Sequence, residues 1–336
     1  MNIDFDKTFI IAEIGGNHEG NFGYAKRLLK DAVESGVDAV KFQTYRPEKI
    51  VNKKQDLSRF NHFKKFCLKD SEFLDLARMC KEMNVMFMSS IWDSESLEIL
   101  DPFISIHKIG SGDLTNFPLI RKILDTNKPL IISTAMADIS EIRETVKFIK
   151  SIKKNIMEEK KLGILQCVAM YGDPKDEYTN LNVIKSLSRE FPKAIIGYSD
   201  HSLGYYAANL AVAMGSKILE VHFTNDKTRD FRDHQLSINK NDMQELISNI
   251  RKTERMLGSE IKVPINEVET EGRIKEFRRA CYLKRNMKKG DVISEADLIT
   301  LRPNLGIDAR YYEMLLGKTL TKDIHSLAIL DWKFFK

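Results

Sequence analysis

The sequence predicts an α/β protein, a (β/α)8 TIM barrel followed by a small β-rich domain. Eight short, continuously apolar segments alternate with segments of helical periodicity, as expected for parallel strands buried on both faces. Eight such repeats within about 250 residues match the size of a barrel. The first strand is followed by Gly15-Gly-Asn-His-Glu-Gly, a poor match to the GxGxxG turn, which disfavours a doubly wound sheet.

The predicted strands and helices follow one another in chain order. The strands begin at Thr8, Asp38, Val85, Ile104, Lys128, Leu162, Ala194 and Lys217. Helical periodicity covers residues 24–35, 72–83, 94–101, 116–126, 138–152, 180–190, 202–214 and 240–256. Between the second strand and the next helix lies a basic and aromatic insertion, residues 45–69, whose length predicts a functional loop such as a lid.

The apolar alternation ends near residue 260, where the sequence becomes polar and contains Pro264. We predict a barrel domain over residues 1–260, a linker over 261–277 and a β-rich domain over 278–336. Short apolar runs between turn residues are typical of a small β domain. A core of about 60 residues is marginally stable alone and would gain from docking on a partner.

Composition and charge limit the kinds of function. The net charge of +5 gives no basis for nucleic-acid binding, although residues 273–289 hold eight basic residues and one acid. That run is either a solvated linker face or an inter-subunit surface that attracts anionic substrates. No apolar run of about 18 residues predicts a membrane span, and residues 1–6 show no signal-peptide pattern. Four scattered cysteines predict reduced thiols and a cytoplasmic protein.

Polar side chains cluster at the predicted carboxyl ends of the strands, where barrel enzymes carry out their chemistry. Lysines, hydroxyl groups and backbone N–H groups there would suit a phosphate and a carboxylate. A lone serine is more often a turn residue, however, and a lone lysine is more often solvated. The candidates are Glu13, Lys41, Gln43, Ser89, Ser90, Lys108, Ser111, Ser133, Thr134, Gln166, Tyr171, Ser199, Asp200, His201, Glu220 and His222.

His201 and His222 end neighbouring predicted strands and could bind one divalent metal together, although either alone could be a core histidine. Imidazole and carboxylate ligands without thiolate make Mn²⁺ or Mg²⁺ plausible, but spacing alone does not exclude Zn²⁺. Glu13 and Glu220 lie within apolar strands, where an unpaired carboxylate is costly. We expect them to transfer protons or, alternatively, to form structural ion pairs.

The order of several motifs resembles that of the sialic acid (nonulosonic acid) synthase family. The motifs are Ile11-Ala-Glu-Ile-Gly-Gly-Asn-His-Glu-Gly, Val40-Lys-Phe-Gln-Thr, Lys108-Ile-Gly-Ser-Gly, Ile132-Ser-Thr, Gly197-Tyr-Ser-Asp-His-Ser and Glu220-Val-His-Phe-Thr. The tail, with Lys288-Lys-Gly-Asp and Leu301-Arg-Pro, resembles the family's antifreeze-like (SAF) domain. Such enzymes condense phosphoenolpyruvate with an N-acyl hexosamine.

The resemblance implies a homodimer in which the SAF domain of one subunit covers the active site of the other. It implies His201 and His222 as ligands of a divalent metal, most often Mn²⁺, with Mg²⁺ or Co²⁺ as alternatives. The residues implied to assist proton transfer are Glu13 and Glu220, and we predict Asp200 as a further catalytic residue. The implied contacts to phosphoenolpyruvate are Lys41, Lys108, Ser111, Ser133 and Ser199, and we predict Ser90 as a further substrate contact. The implied contacts to the sugar are Gln43, Tyr171, Asp233 and, from the partner's tail, Arg302.

Four stretches depart from the family pattern. The family's Ser-Thr-Pro-Phe is replaced here by Ser89-Ser-Ile-Trp, a family Glu is replaced by Asp113, and a polar residue is replaced by Ala169. A Pro-Gly-Pro-Asp is replaced by Arg229-Asp-Phe-Arg-Asp. Because the metal and main phosphate groups are retained, we predict that the segment 225–237 decides which sugar is accepted.

The resemblance therefore predicts a metal-dependent synthase that joins phosphoenolpyruvate to an N-acyl mannosamine-type sugar and releases phosphate by C–O cleavage. One alternative is another phosphoenolpyruvate-dependent 3-deoxy-sugar-acid synthase, which the tail domain disfavours. A second is a non-catalytic sugar-binding barrel, which the altered residues around the sugar leave open. N-acetylmannosamine and di-acetamido deoxy sugars both remain candidate acceptors.

Overall fold

The computed structural model describes residues 7–171, 174–230 and 233–336. The chain divides into two units, Met1–Gly258 and Ser259–Lys336. Within the described ranges, no helix is long and apolar enough to cross a membrane. The four cysteines are free thiols.

The first unit is a closed barrel of eight parallel strands in chain order, with the last strand paired to the first. The strands are β1 (Phe9–Gly15), β2 (Ala39–Thr44), β3 (Met86–Ile91), β4 (His107–Ile109), β5 (Leu130–Ser133), β6 (Leu162–Cys167), β7 (Ile195–Asp200) and β8 (Ile218–His222). The helices are α1 (Phe22–Glu34), α2 (Pro47–Ile50), α3 (Leu57–Phe66), α4 (Asp70–Glu82), α5 (Ser94–Leu100), α6 (Phe117–Asp125), α7 (Ile139–Ile152), α8 (Asn182–Glu190), α9 (Tyr206–Ala213) and α10 (Lys240–Leu257). The predicted barrel fold is confirmed.

The alternation of side chains along each strand positions the polar groups of the barrel. Every second residue of a strand faces the interior. In β1, Phe9 and Ile11 belong to the inner apolar cluster, whereas Ile10 packs in the outer cluster with the helices. Continuing the inner series beyond the apolar layers leads to polar residues at the carboxyl ends. They are Glu13, Lys41, Ser90, Lys108, Ser133, Ser199, His201, Glu220 and His222.

Close packing inside the barrel requires glycine at position 197 in β7. A Cβ atom there would lie 2.4 Å from Cδ2 of Leu165 and 2.8 Å from Cβ of Ile218. Both neighbours belong to the inner cluster, and protein interiors are close-packed. The absent side chain therefore lets β7 approach β6 and β8.

Two local predictions differ from the structure. The insertion 45–69 contains α2 and α3 rather than only a loop, and the Asp56 side chain caps α3 by accepting from the backbone N–H of Arg59 at 2.8 Å. The helix expected over 202–214 begins only at Tyr206. Gly204 explains the later start, because its φ of +76° is left-handed and incompatible with an α-helix.

The second unit has a small apolar core and one two-stranded antiparallel sheet of β9 (Ala280–Leu283) and β10 (Leu298–Leu301). The other predicted strands form isolated bridges, such as Met287–Ile324 and Val292–Thr319. Two short helices are α11 (Glu271–Phe277), within the predicted linker, and α12 (Tyr312–Leu315). The core includes Cys281, Leu283, Met287, Ile293, Leu298, Ile307, Leu315, Leu320, Ile324, Leu330 and Phe335.

Candidate active site

A cavity of about 730 Å³ opens at the carboxyl ends of the strands. Strand-end side chains form its floor, and the α2–α3 segment contributes one wall. The structure brings most of the predicted site residues together here. Those lining the cavity are Glu13, Lys41, Gln43, Ser90, Lys108, Ser111, Ser133, Tyr171, Ser199, His201, Glu220 and His222.

Four buried charged side chains form the centre of the floor. Lys41 Nζ lies 2.7 Å from Glu13 Oε2 and 3.7 Å from Glu220 Oε2. Lys108 Nζ lies 3.5 Å from Glu220 Oε1. The contact between Glu13 and Lys41 follows from the register of β1 and β2, which places their Cα atoms side by side. The attraction between two cations and two carboxyl groups thus offsets the free-energy cost of burying them. An isolated buried charge would have no such compensation.

The two carboxyl groups have opposite pKa shifts. Burial raises the pKa of Glu13 from 4.5 to about 7, although Lys41 opposes this rise. Burial also acts to raise the pKa of Glu220, but Lys108 and Lys41 outweigh it and hold that pKa below the ordinary range. One carboxyl can therefore carry a proton near neutral pH while its neighbour stays ionised, as acid–base chemistry requires.

Strand-end serines hold the floor charges in place. Lys41 Nζ donates to Ser90 Oγ at 2.9 Å, and Lys108 Nζ donates to Ser133 Oγ at 2.7 Å. Ser199 Oγ donates to Glu220 Oε1 at 3.1 Å. These three serines are buried and hydrogen-bonded to charged groups, so their role is not that of ordinary turn residues.

His201 and His222 meet on the same floor, with 3.3 Å between their Nε2 atoms. Both side chains are buried. Burial, helped by the neighbouring His222, lowers the pKa of His201 to about 3, so this imidazole is neutral and has a lone pair to offer. Its Nδ1 lies 3.5 Å from Cys167 Sγ.

The separation of these nitrogens fits two ligands of one divalent ion. Nitrogen atoms bound about 2.1 Å from a metal, at angles of roughly 90–110°, are about 3.0–3.4 Å apart. In the described part of the chain, no group of three or more His, Cys, Asp or Glu side chains forms a metal cluster.

Asp200 does not line the cavity, contrary to its predicted catalytic role. Strand alternation turns it outward between the inward-facing Ser199 and His201. Its carboxylate accepts from the Tyr198 hydroxyl at 3.1 Å and from the Ser202 backbone N–H at 2.8 Å. Asp200 thus fixes the strand end that carries His201.

The wall above the floor contains residues that the sequence did not identify individually. The Trp92 ring stacks on Tyr45 with 5.0 Å between centroids and meets Phe63 edge-on at 5.8 Å. In the sequence, only the basic and aromatic composition of the insertion 45–69 indicates that these residues belong to the site. The α2–α3 residues lining the cavity are Lys49, Ile50, Val51, Asn52, Gln55, Asp56, Arg59 and Phe63.

Asp233, one predicted sugar contact, does not line the cavity. Asp233 is buried, and its charge acts against the fall in the pKa of His201. Arg302 belongs to the second unit, where its Nε donates to the Phe277 carbonyl at 2.7 Å. Residues 231 and 232 of the segment 225–237 lie outside the described residues.

Comparison with known proteins identifies the family. The NeuB family matches residues 28–262, and the SAF domain matches residues 278–336. An uncharacterized protein of Methanocaldococcus jannaschii is 38% identical over 97% of this chain and 94% of its own length. The N,N'-diacetyllegionaminic acid synthase of Campylobacter jejuni is 35% identical over 94% of this chain and 97% of its own length. The crystal structure of an N-acetylneuraminic acid synthetase from Leptospira borgpetersenii, in complex with citrate, is 30% identical with a TM-score of 0.73, covering 80% of this chain and 92% of that one.

A closed parallel barrel with buried acids, lysines and facing imidazoles at its carboxyl end is typical of barrel enzymes. The chain belongs to the NeuB family of sialic acid and related nonulosonic acid synthases, with a SAF domain after the barrel. The family resemblance drawn from the motif order is confirmed.

Proposed function

We propose that this protein is a nonulosonic acid synthase that condenses phosphoenolpyruvate with the open-chain aldehyde of an N-acyl mannosamine-type sugar. One observation carries the proposal: two lysines, two carboxyl groups of opposite pKa shift and two facing imidazoles share one cavity floor. Cations suit an anionic substrate, and the carboxyl groups suit proton transfer. The imidazoles suit a metal that activates an aldehyde.

Lys41 and Lys108 bind the phosphate and carboxylate of phosphoenolpyruvate in this proposal. Ser90, Ser133 and Ser111 add hydroxyl donors around the same anion. Because both ammonium groups are already fixed by hydrogen bonds, they orient the substrate at little further cost in entropy. In the most favourable cases, positioning of this kind lowers the activation barrier by about 7–11 kcal/mol.

His201 and His222 hold the divalent metal, for which Mn²⁺ is our first choice and Mg²⁺ or Co²⁺ are alternatives. When bound, such an ion supplies Lewis-acid polarisation of the sugar's carbonyl oxygen.

Glu13 and Glu220 divide the proton chemistry between them. Carbon 3 of phosphoenolpyruvate bonds to the aldehyde carbon, and protonated Glu13 gives its proton to the aldehyde oxygen, which becomes a hydroxyl group. The ionised Glu220 stabilises the positive charge at carbon 2. Water then adds to carbon 2 and returns a proton to Glu13. The bond from carbon 2 to the phosphate oxygen breaks, phosphate leaves with that oxygen and takes up the proton of the new hydroxyl group, and carbon 2 becomes a ketone.

The acceptor sugar lies between the floor and the α2–α3 wall, against Gln43 and Tyr171. Asp233 and Arg302, the latter from the tail domain of a second copy of the chain in a swapped homodimer, complete its contacts. The names of the relatives point to more than one acceptor, since one is a diacetyllegionaminic and another an N-acetylneuraminic acid synthase. The accepted sugar is therefore to be identified by testing several candidates.

The test is phosphate release from phosphoenolpyruvate with Mn²⁺ and a panel of sugars. We expect release with N-acetylmannosamine or with a di-acetamido deoxy sugar, and loss of release after chelation. Release only with phosphorylated aldoses would instead support another 3-deoxy-sugar-acid synthase. Sugar binding by calorimetry without any release would support a non-catalytic barrel.

A further inference from the structure

The segment that follows β8 is tied to the loop after β1 by four side chains, Glu19, Tyr24, Arg229 and His234, which we call the Glu19 clamp. Both carboxylate oxygens of Glu19 accept from Arg229, at 2.8 Å from Nε and 2.9 Å from Nη2. Glu19 Oε1 also lies 3.2 Å from His234 Nε2. One carboxylate thus joins two points of the segment on either side of residues 231 and 232.

Tyr24 forms the base of the clamp. The Arg229 guanidinium lies 4.7 Å from the centre of the Tyr24 ring. The His234 ring stacks on the same tyrosine, with centroids 6.3 Å apart and an interplanar angle of 16°. The Tyr24 hydroxyl donates to Asn225 Oδ1 at 2.7 Å. Since Tyr24 is a buried residue of α1, the clamp has a rigid anchor.

Glu19 itself is held in an unusual backbone conformation. Its φ of +51° is left-handed, which non-glycine residues adopt mainly where their surroundings impose it. The loop is closed by hydrogen bonds from the Glu19 N–H to the Gly16 carbonyl at 2.9 Å and from the Gly20 N–H to His18 Nδ1 at 3.0 Å. These bonds fix the backbone that carries the carboxylate, so less entropy is lost in forming the clamp.

The clamp continues directly to Asp233, the neighbour of His234 in the chain. Thr224 Oγ1 lies 2.6 Å from His234 Nδ1. Asn17 Nδ2 lies 2.9 Å from Ser237 Oγ and bonds to it, and the Ser237 hydroxyl donates to the Asp233 carbonyl. The backbone of Asp233 is therefore fixed from both sides.

We propose that the Glu19 clamp positions Asp233 for the acceptor sugar, which makes Glu19 and Arg229 positioning residues for acceptor binding. The inference rests on the proposed function. Neither the four clamp side chains nor Asp233 lines the cavity, so the clamp acts through the segment that it holds. The link to the site is electrostatic, because the charge of the buried Asp233 acts on His201 on the cavity floor. Arg229 belongs to the stretch that departs from the family pattern, so the clamp offers this chain its own way of setting acceptor preference.

The expected consequence is selective for the sugar. An apparent dissociation constant rises by the inverse of the fraction of protein in the binding-competent conformation. Opening the clamp lowers that fraction for the segment after β8. Lys41 and Lys108, which stand on strands, keep their positions for phosphoenolpyruvate.

The test compares Arg229→Met and Arg229→Lys with a matched control, Arg143→Met. Arg143 makes the same bidentate bond to Glu190, at 2.7 and 2.8 Å, but on α7 and α8. KM values are measured with Mn²⁺, phosphoenolpyruvate and whichever sugar of the panel the wild type uses. We expect Arg229→Met to raise the KM of the sugar about 5- to 10-fold and that of phosphoenolpyruvate less than about 2-fold. Arg229→Lys should lie between, and Arg143→Met should match the wild type.

Amide hydrogen exchange of residues 224–230 and 233–238 in the free protein gives a second readout. Exchange there should accelerate in Arg229→Met and not in Arg143→Met. Equal rises in both KM values, or unchanged KM values in an active enzyme, would overturn the inference alone. Absence of phosphate release by the wild type with every sugar would overturn the proposed function and the inference with it.

Discussion

Replacing Lys41 with methionine removes the ammonium that lies 2.7 Å from Glu13 and 3.7 Å from Glu220, and it should make the chain's stability depend on pH above neutrality. Methionine fills a similar volume without charge. Burial already raises the pKa of Glu13 to about 7 in the presence of Lys41. Without this cation, the pKa of Glu13 rises further, while Lys108 still compensates Glu220 at 3.5 Å.

The sign of the effect follows from proton binding. The pKa of Glu13 is higher in the folded chain than its ordinary value of 4.5, so folding is favoured at low pH and this contribution is lost as pH rises through the folded pKa. In the wild type, this decrease in the free energy of unfolding ends near pH 7. In Lys41→Met the free energy of unfolding continues to fall above pH 7, by about 1.4 kcal/mol per pH unit. Between pH 7 and 8.5 the variant should lose up to about 2 kcal/mol relative to the wild type.

The assay is urea unfolding at pH 6, 7 and 8.5, followed by the fluorescence of Trp92 in a Trp332→Phe background, so that the signal reports the barrel. Lys122→Met, which removes an exposed lysine of α6, is the control and should track the wild type at every pH. A free-energy difference between Lys41→Met and the wild type that stays constant from pH 6 to 8.5 would refute the reasoning.

Three further predictions test other parts of the account. His222→Ala should abolish metal-dependent turnover and weaken Mn²⁺ binding in calorimetry; wild-type affinity for Mn²⁺ would remove His222 as a ligand. Gly197→Ala should lower the free energy of unfolding by about 1–3 kcal/mol, because its Cβ would overlap Leu165 at 2.4 Å. Gly272→Ala, whose Cβ meets nothing nearer than 3.9 Å, should not destabilise the chain, and equal effects of the two would contradict the packing argument. Arg302→Ala should raise the KM of the sugar selectively, and a matching rise for phosphoenolpyruvate would argue against a sugar contact.

Much of the barrel could be predicted because strands buried on both faces are continuously apolar and end in polar residues. The same alternation turns Asp200 away from the barrel interior, since Ser199 and His201 on either side of it face inward. The pairing of His201 with His222 could be expected from neighbouring strands. The 3.3 Å distance between their Nε2 atoms is visible only in the structure.

Other features depended on tertiary contacts that sequence spacing does not encode. The helices α2 and α3 form within a stretch that looked like a loop, where Phe63 packs against Tyr45 and Trp92. Glu19 and Arg229 are 210 positions apart, and neither alone suggests a partner. In the second unit, predicted strands became isolated bridges because a core that small supports only short pairings.

The oxygen isotope content of the products tests the central claim most directly. Reactions are run in oxygen-18 water with phosphoenolpyruvate, Mn²⁺ and the accepted sugar, and the released phosphate is analysed by mass spectrometry. A synthase that adds water to carbon 2 and cleaves the C–O bond predicts sugar-dependent phosphate without the label, because the oxygen from water stays with the sugar acid. Labelled phosphate, or phosphate release that does not depend on the sugar, would contradict the account.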